Sequence, residues 1–125
     1  MIILDTSIWI EFFKVNPSCF ETIQKLIEEQ QVLAVDCIFG ELLQGARNKR
    51  EREIIKDYWE NLPKAGVSGL WIEAGIYSSE NKLISKGIGL IDAVIIKASQ
   101  RNNALLWSLD TKLNSILPEE SKFSN

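Results

Sequence analysis

Short apolar runs alternating with stretches of helical periodicity limit this chain more than any other feature. IIL at 2–4, VLAV at 32–35 and ALLWSL at 104–109 have the length and branched-aliphatic content of buried strands. Between them, apolar residues recur at helical spacing: Ile8, Trp9, Phe12 and Phe13, then Phe20, Ile23, Leu26 and Ile27. Thr6 or Ser7 is placed to cap the first of these helices, which ends before Asn16-Pro17, and Ser18 with Glu21 forms a capping-box pattern for the second. Asp36 is placed to cap a third helix that continues through GELLQGA into RNKREREIIKDYWENL. Pro63 and Gly66 mark a break, with a short strand expected near Val67. A helix carrying Leu70, Ala74, Tyr77 and Ile84 follows, then the loop SKGIGL and the helix IDAVIIKASQ, ending at Asn102-Asn103. The polar tail beyond Pro118 is expected to fray. Strand alternating with helix throughout predicts an α/β fold with a central, mostly parallel sheet. With no repeat or linker in sight, residues 1–125 read as one domain.

Composition excludes several kinds of chemistry. The chain has no histidine, which removes Ser-His-Asp and Cys-His nucleophile systems and any His-ligated zinc. Cys19 and Cys37 are too few and too far apart for a disulfide framework, and their apolar neighbours suggest buried free thiols in a reducing cytoplasm. No apolar run approaches the ~20 residues that cross a bilayer, and MIILDTS lacks the basic start of a secretory signal. A net charge of −3 is not that of a general nucleic-acid binder, although a local basic patch is compatible with it.

Carboxylates are left as the agents of any reaction. Asp5 and Asp110 each follow an apolar strand core, and parallel strands would bring both to the carboxyl edge of the sheet, where ligands collect. Asp92 opens a helix that is apolar on most sides; its plainer explanation is favourable placement at the positive helix end, an effect of ~0.3–1 kcal/mol. Glu41 lies among Phe39, Leu42 and Leu43, flanked by Gly40 and Gly45, and its plainer explanation is a surface glutamate. Each acid alone has an ordinary reading; four hemmed by apolar sequence do not. Converging carboxylates repel one another unless a cation joins them, and an all-oxygen set favours Mg²⁺ or Mn²⁺.

ILDTSIWIEFF, GELLQGA, KGIGLIDAVIIKAS and LLWSLDTKL resemble, in order and spacing, the blocks of PIN-domain ribonucleases, most closely the VapC-type toxins of toxin–antitoxin pairs. The resemblance runs from Met1 to about Leu113. It implies a three-layer α/β/α PIN-like domain whose acidic cluster, catalytic and metal-holding at once, falls on Asp5, Glu41, Asp92 and Asp110. The family's supporting hydroxyls fall on Ser7 and Ser108, the latter where threonine is more usual. Metal-dependent hydrolysis of RNA, a cognate antitoxin and a homodimer are implied as well. One departure stands out: many members carry a further acid two residues past the last aspartate, and this chain has Lys112 there.

Arg47, Lys49, Arg50 and Arg52 form either a solvated helix face or a phosphate-contacting rim beside Glu41. Trp9 is the best placed of the four tryptophans for base stacking, although core packing is the commoner use. Two rival readings remain. An aspartyl-phosphate phosphatase needs D-x-D after the first strand, and Ser7 stands where its second acid belongs. A catalytically degenerate PIN-like module that binds RNA or protein is the other, favoured only by Lys112.

Overall fold

The computed structural model describes residues 1–125. Three short strands, β1 (Ile2–Leu4), β2 (Val32–Leu33) and β3 (Leu105–Trp107), form a wholly parallel sheet in the order β2-β1-β3. Ile2 and Ile3 pair with Val32 and Leu33 on one side and with Leu105 and Leu106 on the other. Successive strand residues face opposite ways, yet Ile2, Ile3 and Leu4 are all buried, so both faces of β1 are covered. That is the expected α/β layering.

Seven helices supply the cover: α1 (Thr6–Phe13), α2 (Phe20–Glu28), α3 (Asp36–Gln44), α4 (Lys49–Asn61), α5 (Leu70–Glu80), α6 (Leu90–Arg101) and α7 (Thr111–Ile116). Helix α6 is buried nearly all round through Ala93, Val94, Ile95, Ile96 and Ala98, as its near-continuous apolar sequence requires. No helix is long and apolar enough to cross a membrane.

Several local expectations fail for identifiable reasons. The cap of α1 is Asp5, whose side chain accepts the Ile8 N–H, in place of Thr6 or Ser7. The Ser18–Glu21 box does not form; Ser18 donates to Asn16 Oδ1 instead, and Cys19 takes the cap position with no side-chain bond to the helix. Asp36 lies inside the first turn of α3, and Val35 is the cap. The single long helix expected from Asp36 is two, because Asn48 caps a fresh start by accepting the Glu51 N–H at 2.9 Å.

No strand forms near Val67. Pro63 and Ala65 bond to Ala34 instead, and this leaves one parallel bridge between Ala34 and Lys64. Helix α5 ends at Glu80, with Lys82 in the left-handed region, so Ile84 lies beyond it in a 3-10 turn over 84–86. The tail docks: the Phe123 N–H donates to Leu106 O at 2.9 Å, Phe123 packs on Trp107, and the Asn125 side chain joins Thr22 and Ser18. Trp9 is fully buried, in contact with Phe12, Phe13, Phe39 and Tyr58, which rules out base stacking. Cys19 is buried and Cys37 half-buried, both as free thiols.

Candidate active site

The carboxyl edge of the sheet collects the acids. Asp5 leaves β1 and caps α1; Asp110 follows β3 and caps α7, accepting the Lys112 N–H at 2.9 Å and the Leu113 N–H at 3.3 Å. Asp92 sits in the first turn of α6, and Glu41 projects from α3, which packs against α1. Asp5 is 6% exposed, while Glu41, Asp92 and Asp110 are half-buried.

The bonds around Asp5 fix its orientation. Ser7 donates to Oδ1 and Ser108 to Oδ2. Each hydroxyl is itself an acceptor, Ser7 Oγ from the Leu109 N–H at 3.0 Å and Ser108 Oγ from the Asp110 N–H at 2.9 Å. With a backbone proton already pointing at it, each hydroxyl aims its own hydrogen at the carboxylate. Asp5 accepts from three donors, which offset the cost of burying it.

Asp92 reports how near the other acids are. Its carboxyl titrates above the ordinary value, first through burial and then through the carboxylates of Asp110, Glu41 and Asp5, opposed only by a backbone N–H from Gly89. All four predicted acids therefore share one field. No three of them are already drawn to the spacing of ligands on a single ion. The donor set still fits a hard divalent cation: every group is a carboxylate, and their mutual repulsion is what such an ion relieves.

Two contributors lacked a signal of their own in the sequence. Thr6 Oγ1 donates to Glu41 Oε1 at 2.8 Å and so aims the acid of α3 from the start of α1. Asn114 Nδ2 donates to Ser108 O at 2.9 Å, steadying the turn between β3 and α7. One helical turn past Asp110, Asn114 would have been recognisable had α7 been anticipated.

The basic stretch divides. Arg47 pairs with Glu51 at 3.1 Å and Lys49 with Glu53 at 3.9 Å, whereas Arg50 and Arg52 are exposed and unpaired. A largely apolar groove of about 570 Å³ has Thr6 and Glu41 in its lining together with Phe13, Phe20, Ile54 and Tyr58; Glu41 is the one member of the four acids that reaches it.

A family model described as "PIN domain" matches residues 2–116. No curated protein sequence matches the chain significantly. Among solved structures, a toxin–antitoxin complex from Klebsiella pneumoniae is similar at 18% identity and a TM-score of 0.75, over 94% of this chain and 93% of that one. VapBC2 from Rickettsia felis, bound to a DNA fragment from its promoter, matches at 20% identity and a TM-score of 0.70, over 94% of both chains. FitAcB from Neisseria gonorrhoeae follows at 19% identity and a TM-score of 0.61, over 90% of both. At these identities the likeness is one of fold.

Proposed function

The chain belongs to the PIN domain family, and from that premise we propose that it is a Mg²⁺- or Mn²⁺-dependent endoribonuclease, the toxin of a toxin–antitoxin pair. The observation that carries this reading is the convergence of Asp5, Glu41, Asp92 and Asp110 in one field, with both oxygens of Asp5 held by hydroxyls.

Asp5, Asp92 and Glu41 are the residues to hold the ion, with Asp110 ligating directly or through water. When bound, such an ion lowers the pKa of a water and offsets charge on the phosphate and leaving oxygen. Ser7 and Ser108 keep the Asp5 carboxylate in one orientation, and Thr6 does the same for Glu41. Arg50 and Arg52, free of acidic partners, are the residues of α4 best able to take RNA phosphates; Arg47 and Lys49 would first have to leave Glu51 and Glu53.

The partners follow from the surface. The groove beside Glu41 suits an apolar antitoxin helix, with a basic residue directed at the acids. Support comes from the similar structures, two of which are described as toxin–antitoxin or VapBC assemblies. Ile72 and Ile76, one turn apart on α5, are 74% and 57% exposed, and Ile84 beyond them is 87% exposed; these exposed apolar side chains suit a second copy of the chain. Two free thiols are compatible with a cytoplasmic setting.

The deciding experiment incubates purified protein with RNA in Mg²⁺, in Mn²⁺ and in EDTA, and maps the ends. Cleavage in metal alone, leaving 5′-phosphate and 3′-hydroxyl ends and lost in Asp5→Asn, is the expected result. Undiminished cleavage in EDTA or 2′,3′-cyclic phosphate ends would refute the mechanism. Binding of RNA without cleavage in either metal would favour a degenerate module.

A further inference from the structure

Lys112 departs from the pattern of acids around it, and its placement gives the departure a use. It is the second residue of α7, where its backbone N–H donates to Asp110 Oδ1 at 2.9 Å, so its Cα is anchored at the cap of the last acid. From there the side chain runs back over Gly87. A Cβ added to Gly87 would stand 3.1 Å from Lys112 Nζ, 3.3 Å from Cδ and 3.5 Å from Cε. Stem and ammonium therefore lie along the bare backbone of that turn. Gly87 also holds φ at +76°, in the left-handed region that disfavours a side chain, so backbone and contact both call for glycine. Two residues on, Gly89 caps α6, and Asp92 lies in the first turn of that helix. Lys112 thus links the element that carries Asp110 to the turn that leads into Asp92.

The ammonium is not consumed in an ion pair. Six salt bridges join charged side chains in this protein, and Lys112 takes part in none. The site has a need for it. Four carboxyl groups stand together here; one divalent cation offsets two charges, and an RNA phosphate arrives with another.

We propose that Lys112 is the second cation of this site. Its ammonium meets the phosphate of bound RNA where a second divalent ion would otherwise be required, so the chain works with one metal ion. The proposal rests on the ribonuclease reading above and adds the ion count and a phosphate contact to it. Lys86, exposed at the end of the neighbouring 3-10 turn and likewise outside the six salt bridges, serves as the control.

The test counts ions. Mn²⁺ bound at equilibrium by the full chain is read from the electron paramagnetic resonance of the free ion, for the parent, Lys112→Glu and Lys112→Met. The expected counts are one ion on the parent, one on Lys112→Met and two on Lys112→Glu. Two ions on the parent, or only one on Lys112→Glu, overturn the proposal and leave the nuclease reading standing. No ion on the parent overturns both. A second readout is single-stranded RNA binding in EDTA across a range of salt. Lys112→Met should flatten the log–log slope by about 0.7, the share of one phosphate contact on a single strand, and Lys86→Met should not. An unchanged slope for Lys112→Met, or an equal change for both variants, removes the phosphate contact.

Discussion

Ser108 donates to Asp5 Oδ2 across 103 residues of chain while accepting the Asp110 N–H, so one hydroxyl holds two acids from different strands. Ser108→Ala leaves Asp5 with a buried oxygen short of a donor. The expected loss is about 10–100-fold in metal affinity or cleavage, as for other groups that orient a ligand. Ser108→Thr, which keeps the hydroxyl, should retain most activity. Mn²⁺ titrations and initial cleavage rates check this; equal behaviour of the two variants would show that the hydroxyl is idle.

Thr6→Val removes the donor to Glu41 Oε1 at little change in volume. Stability should fall by about 1 kcal/mol, the net worth of one hydrogen bond, and metal affinity by a larger factor than that loss suggests. Melting curves with and without Mg²⁺ separate the two effects. A drop in stability with metal affinity untouched would mean that Glu41 needs no aiming.

Asp92 gives a pH signature. Burial and the neighbouring acids raise its carboxyl above 3.8, so the metal-free fold holds this proton more tightly than the unfolded chain does. The resulting stabilisation is fully present below 3.8 and is lost as pH rises through the raised value. In EDTA at neutral pH, Asp92→Asn should therefore melt above the parent, with the gap closing in acid. Saturating Mg²⁺ should reverse the order, since the parent gains about 2.7 kcal/mol at a hundred times the dissociation constant. A gap that ignored both pH and metal would remove charge strain as its cause.

Trp9 supplies a control for stacking. Fully buried among Phe12, Phe13, Phe39 and Tyr58, it should cost about 3–5 kcal/mol of stability as Trp9→Ala. Trp9→Phe should leave RNA affinity unchanged while the protein stays folded. Fluorescence anisotropy on folded Trp9→Phe is the check, and a selective loss of RNA affinity would return Trp9 to the binding surface.

The strand cores were readable because fully buried strands must be apolar on both faces, and IIL and LLW have no other stable place to go. The same rule exposed Asp5 and Asp110, each standing where an apolar run stops. Asp92 was visible through the apolar surroundings of α6. Local punctuation was harder. Asn48 and Asn16 take backbone donors, the N–H groups of Glu51 and Ser18, through short-range bonds that leave no periodic trace, so the break between α3 and α4 and the failed capping box were missed. Thr6 and Glu41 meet across 35 residues, and no local pattern announces such a pair.

Because β1 is the central strand and β3 joins it from the far end of the chain, the order of synthesis acquires a meaning. Asp5 leaves the ribosome more than a hundred residues ahead of Ser108 and Asp110. Until then a nascent chain has one acid deprived of its cross-sheet hydroxyl and another missing altogether. Whatever chemistry this cluster performs waits until β3 has been made and has paired with β1.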